Sequence, residues 1–126
     1  MSLEENKKSL YRCFDNLWNK RDLSVLPEVI SAEYAGHSAQ GEVRGLDGFE
    51  NMIQSYYTAM PDMHFTVEDV FGEGDRLAAF MTLTGTNTGK IGDTEPTGEP
   101  VNIQMLLINR YIDGKCVEST AYSPPS

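Results

Sequence analysis

The stretch "EYAGHSAQGEVRG", residues 33–45, holds His37, one of only two histidines in the chain. An imidazole titrates near neutral pH without help, so it can take or give a proton under ordinary conditions. Ring closure or isomerisation next to a carbonyl needs such a base, together with a donor for the developing oxyanion. His37 is the candidate base. The candidate donors and walls are Trp18, Tyr34, Tyr57 and Asn109. Buried Tyr hydroxyls and Trp N–H groups seek a partner, which suits them to a cavity wall. At helical spacing the same aromatics serve equally as core.

Other polar residues read more simply. His64 alternates with Thr66 and Glu68 on a polar strand face and is expected in solvent. Glu118 reads as a solvated strand residue and Asp69 as a turn-side one. His37 and His64 lack an obvious third ligand, so no metal site is expected. Cys13 and Cys116 are too few for a disulfide framework, although one bridge between them is compatible with the sequence. Reduced thiols in the cytoplasm are the expectation.

The bulk properties narrow the classes. The chain has 126 residues, 40% apolar and 23% charged, which predicts one globular domain over 1–126. Nineteen acidic residues against ten basic ones give a net charge of −9. That balance argues against nucleic acid and against an anionic membrane surface. The longest apolar run, Met105 to Ile108, is far below the roughly 20 residues a membrane helix needs. The start, "MSLEENKKSL", has no signal-peptide core.

The elements that must position these residues follow from periodicity. Leu3, Leu10, Phe14, Leu17 and Trp18 share a helical face, and Ser2 with Glu5 makes a capping-box spacing, so a helix is expected over about Leu3–Lys20. A short helix over Val25–Ile30, capped by Ser24, places Pro27 in its first turn. Leu46, Phe49, Met52, Ile53, Tyr56, Tyr57 and Met60 define a third helix, stopped by Pro61. Between them a short strand is expected over Glu33–His37, then a loop.

From Met63 the period becomes two. Phe65, Val67 and Phe71 read as a covered strand face, "GEGD" as a turn, and "RLAAFMTLTGT" as a central strand. A Gly/Pro/Thr loop spans 87–100. "VNIQMLLINRYI" and "KCVESTAY", joined by Asp113–Gly114, form a hairpin, and "SPPS" is a tail. On the long strand Met105, Leu107 and Asn109 share one face, and Gln104, Leu106, Ile108 and Arg110 the other; either could meet the helices. The sum is α+β: three helices on one face of a curved, mainly antiparallel four-stranded meander. Such a cone has an open mouth suited to a small, largely apolar ligand.

Several segments resemble one family. "NKRDLSVLPEVISAEYAGH" is similar to its short helix, aromatic and His. "GLDGFENMIQSYYTAMPDMHFTVEDVFGEGDRLAAFMTLTGTNTG" resembles its third helix, "PD" junction and first two meander strands. "PTGEPVNIQMLLINRYIDGKCVE" resembles its Pro-Thr-Gly loop, long strand and hairpin. The family is the SnoaL-like polyketide cyclase and ester cyclase branch of the nuclear transport factor 2-like superfamily.

The resemblance implies the cone fold, a pocket for apolar cyclic or polyketide-like molecules, homodimers through the outer sheet face, and no metal or organic cofactor. It implies cyclase or isomerase chemistry with His37 as acid/base, or else a non-catalytic carrier or sensor of a hydrophobic metabolite. Two departures weigh on the enzyme. Asn87 stands where family members commonly carry His. The last strand, where they often carry Glu, Trp and then Asp, has Thr120 at the Trp position and no carboxylate after Glu118. A hydrolase of this fold would need an Asp–Arg–Asp set, for which no residues can be assigned.

Overall fold

The computed structural model describes residues 2–38, 41–90 and 95–123. The first helix, α1, opens at Leu3–Arg12, where the Ser2 hydroxyl accepts from the Glu5 amide. It continues through Cys13–Asn19 as a wider π-helical segment. That segment buries Cys13, Phe14, Leu17 and Trp18. A 3₁₀ turn, Leu23–Val25, leads into the short α2, Leu26–Val29. The 3₁₀ turn is capped by Asp22, whose carboxylate accepts from both the Ser24 amide and the Ser24 hydroxyl, and α2 has Val25 at its start with no side-chain cap, so Ser24 does not cap it. Pro27 sits in the first turn as expected. The third helix, α3, is Gly45–Ala59 and buries Phe49, Ile53 and Ala59.

Among the described residues six strands form one sheet: β1 Ile30–Ser38, β2 Gly41–Arg44, β3 His64–Glu73, β4 Arg76–Thr86, β5 Pro100–Ile112 and β6 Lys115–Tyr122. Their order is β2-β1-β6-β5-β4-β3. The expected meander, β3 to β6, is present and antiparallel. The sheet is extended by β1, which pairs parallel with β6, and by β2, which pairs antiparallel with β1. The predicted short strand is therefore longer, and β2 occupies part of the expected loop. Its "GEVR" shows no long apolar alternation because it is a short edge strand with only Val43 partly covered. The 87–100 loop and the tail are irregular as far as they are described; residues 91–94 and 124–126 lie outside the described residues.

One face of the sheet carries the core. Leu77, Ala79, Met81 and Leu83 of β4 point there and are buried, packed with Leu10, Leu17 and Ile53 of the helices. In β3 the alternation changes phase. A bulge at Glu68 lies between the Val67–Met81 and Asp69–Phe80 pairs. Phe65 and Val67 face the core, but beyond the bulge Val70 does so and Phe71 is 58% exposed. One inserted residue inverts every later side chain. No described helix is long and apolar enough to cross a membrane.

Candidate functional site

A cavity of about 120 Å³ opens between the helices and the inner sheet face. The register of β5 and β6 decides which residues reach it. Leu107 pairs with Ala121 and Asn109 with Ser119, so these four share the inner face. Met105 and Tyr111 share it by alternation on β5. The question the sequence left open is thereby answered: Met105, Leu107 and Asn109 line the cavity, while Leu106, Ile108 and Arg110 face outward.

The wall is largely apolar, with its polar atoms concentrated on β1, β5 and β6. The Asn109 amide donates to the Tyr111 hydroxyl at 3.2 Å. The Tyr34 hydroxyl hydrogen-bonds Ser119, and the Cys116 thiol lies 3.3 Å from the Ser119 hydroxyl. Tyr34 crosses Phe49 edge-on at 5.0 Å between ring centroids, and Trp18 contacts Phe14, Phe49, Tyr56 and Phe65.

Burial sets the protonation of this wall. It pushes the phenols of Tyr34 and Tyr111 well above the ordinary tyrosine value. It pushes the Cys13 thiol far up and the Cys116 thiol to about 11. A low-dielectric site disfavours the charged form of each. Around neutrality all four are uncharged hydrogen-bond donors and none is a thiolate nucleophile. Cys13 and Cys116 are free thiols lining the same cavity.

Trp18, Tyr34 and Asn109 are brought together in the cavity wall. Tyr57 is not. Its hydroxyl donates to the Leu17 carbonyl at 2.7 Å, and the Arg21 guanidinium lies 4.4 Å from its ring centre. Tyr56, one position earlier and about 100° round the helix, takes the wall position instead.

His37 reaches the cavity only at its rim. It pairs with Glu42 on β2 and Thr120 on β6, so its side chain shares the outer face with Glu118. Nδ1 lies 3.3 Å from Glu42 and Nε2 3.7 Å from Glu118. The imidazole thus lies on the cavity lining, as the sequence suggested, with both ring nitrogens toward carboxylates of β2 and β6. It is still the one imidazole or carboxylate residue among the described lining residues. His64, Glu118 and Asp69 are exposed. Asn87 is buried in a structural role: its carbonyl oxygen accepts from the Thr97 amide at 2.8 Å. No group of three His, Cys, Asp or Glu among the described residues could hold a metal ion.

Tyr111, Ser119 and Cys116 were missed as site residues. For Tyr111 the signal was present, since it continues the Met105–Leu107–Asn109 alternation. For Ser119 it was not. A bulge at Val117, between the Arg110–Glu118 and Tyr111–Cys116 pairs, puts both Cys116 and Ser119 inward.

Helices on one face of a curved sheet, enclosing a cavity with a few convergent polar groups, define the nuclear transport factor 2-like class of α+β protein. Within it, the chain belongs to the SnoaL-like polyketide cyclase family, whose profile matches residues 8–123. Among solved structures it is similar to AclR, a candidate hydroxylase from Streptomyces galilaeus. The two are 28% identical, with 97% of this chain and 80% of that one covered and a TM-score of 0.81. IdmH, a candidate polyketide cyclase from Streptomyces antibioticus, is 26% identical over 94% of this chain and 91% of its own, at a TM-score of 0.79. A candidate SnoaL-like cyclase from Jannaschia sp. CCS1 shares the fold at a TM-score of 0.87, covering 98% and 89%, with 22% identity. No functionally curated protein matches the chain.

Proposed function

We propose that the chain binds a neutral, largely apolar, polyketide-like molecule in this cavity and promotes its ring closure or isomerisation. The observation that carries this reading is the set of neutral donors on one wall of an otherwise apolar cavity. In aldol-type ring closure a carbonyl oxygen gains negative charge as the new carbon–carbon bond forms. The hydroxyls of Tyr34 and Tyr111, held protonated by burial, would stabilise that charge. Seating a folded chain between Trp18 and Leu107 would supply orientation. His37 at the rim would exchange the proton with solvent. The AclR and IdmH likenesses support small-molecule chemistry of this general kind.

A second reading is a carrier or sensor of such a molecule. It is favoured by one observation: both ring nitrogens of His37 face carboxylates of the outer surface.

The outer face supports the assembly we propose, a homodimer. Phe71, Phe80 and Tyr122 are exposed there beside Leu106 and Ile108. Light scattering giving the mass of two chains would support it; a monomer at micromolar concentration would remove it. Free buried thiols at Cys13 and Cys116 suit the cytoplasm, where we place the chain. A folded protein recovered from an oxidising compartment would contradict that placement.

The test is thermal shift with hydroxyanthraquinones on wild type, Tyr111→Phe and His37→Ala, followed by turnover assays on linear polyketide mimics. Near-saturating ligand should raise the wild-type Tm by about 5 °C or more. Turnover lost in Tyr111→Phe with binding retained supports the enzyme. Binding without turnover in any form supports the carrier. No stabilisation of any form defeats both.

A further inference from the structure

The Asn109 side chain is 95% buried by its 5% relative exposure, yet its amide is only half used. Nδ2 donates to the Tyr111 hydroxyl, and Oδ1 has no hydrogen-bond partner. With Nδ2 turned to the Tyr111 hydroxyl, Oδ1 is the end of the amide left without a partner. A second oxygen on the same lining, Ser9 Oγ, is also buried without a partner. Buried polar atoms in native proteins are overwhelmingly paired, and each exception calls for a specific explanation.

We infer that Asn109 Oδ1 is a recognition point for a hydrogen-bond donor on the ligand, a phenolic or enolic hydroxyl, set beside the Tyr111 donor. This rests on the reading of the cavity as a polyketide site and narrows the class of ligand. The sequence suggested Asn109 as a donor to an oxyanion. The geometry reverses that role, because its N–H is committed to Tyr111 and the free atom accepts. Tyr111 receives that N–H on its oxygen, which leaves its own hydrogen for a ligand carbonyl. Two residues apart on one strand face, the pair offers an acceptor and a donor side by side. An enolised 1,3-dicarbonyl or a hydroxyaryl ketone carries the complementary pair. A fully etherified aromatic does not. The inner-face hydrocarbon around the pair supplies affinity but cannot distinguish these ligands, so discrimination falls on the two polar atoms.

Calorimetry with 2-naphthol and 2-methoxynaphthalene tests the inference. The wild type should bind 2-naphthol about five- to tenfold more tightly, the difference a neutral hydrogen bond makes. Asn109→Leu, close in volume, should abolish that preference while still binding both. The wild-type comparison stands even if the variant does not fold. Equal binding of the two probes by the wild type would overturn the inference and leave the cavity reading intact. Tighter binding of the ether would show that the hydroxyl finds no acceptor in the cavity, and would overturn it too. Binding of neither probe would remove the cavity reading, and the inference with it.

Discussion

The Asn19 side chain closes a two-way hydrogen bond with the backbone of Phe65. Its Nδ2 donates to the Phe65 carbonyl and its Oδ1 accepts from the Phe65 amide, each at 2.8 Å. These backbone groups belong to the free edge of β3, the last strand of the sheet. The amide therefore substitutes for a missing neighbouring strand and fastens the end of the first helix to that edge. Phe65 in turn meets Trp18 edge-on at 5.0 Å between ring centroids, so the cavity wall is held by the same contact. Asn19→Ala should cost about 2–3 kcal/mol, because it leaves partly buried Phe65 groups unpaired. Urea unfolding checks this, and a loss under about 0.5 kcal/mol would mean the edge needs no such clasp.

Gly36 sits directly under Tyr34. A Cβ at Gly36 would lie 2.5 Å from the Tyr34 hydroxyl and 3.0 Å from two ring carbons. The ring cannot simply swing away, because it is buried against Phe49. Gly36→Ala should therefore cost about 1–3 kcal/mol by overpacking. It should also displace the Tyr34 donor and reduce the thermal shift given by hydroxyanthraquinones. An unchanged melting temperature together with an unchanged ligand shift would show that the ring moves freely.

Much of this arrangement was legible in the sequence, for physical reasons. Strong helical and strand periods made α1, α3 and the meander readable, since burial on one face writes itself as a repeat. The inner face of β5 was identified as a set, Met105 with Leu107 and Asn109, without its direction. Direction depends on which neighbours pack above, and that is tertiary information. Two failures share one cause. The exposure of Phe71 and the inward turn of Ser119 both depend on register, each at a bulge. A bulge adds one residue and leaves no compositional mark here. Tyr34, Gly36 and Ser38 alternate on the inner face, and His37 between them still reaches the cavity lining, as expected of a pocket residue, while its ring nitrogens face Glu42 and Glu118.

Alkaline pH should unfold this protein early and steeply. Burial raises the Cys116 thiol to about 11 and raises Cys13, Tyr34 and Tyr111 as well. The unfolded chain gives up its thiol protons from about pH 9, whereas the folded chain keeps them. Where the folded state binds more protons, stability falls as pH rises. The contribution is intact below the unfolded value and lost as pH climbs toward the folded one. Each such group steepens the slope by about 1.4 kcal/mol per pH unit. Cys116→Ser removes one titrating group while keeping a donor for the Glu118 carbonyl. Between pH 9 and 11 its stability should fall less steeply than the wild type's by about that amount. Urea titrations at pH 8, 9 and 10 measure it, and parallel slopes would show that Cys116 does not titrate late.

Ala121 is the inward position that follows Ser119 on β6, paired with Leu107. No carboxylate follows Glu118 on this strand. Ala121→Asp would place one in the cavity wall beside neutral donors. Desolvation should raise its folded pKa above the roughly 3.9 of the unfolded chain. For an acid shifted upward, stability is unaffected below the unfolded value and declines as pH rises toward the folded one. The variant should therefore approach the wild-type stability in urea unfolding at pH 4, where acid affects both chains alike, and fall behind it by pH 7, by about 2–4 kcal/mol. A stability deficit independent of pH would mean that position 121 faces away from the cavity, and the β5–β6 register would need revision.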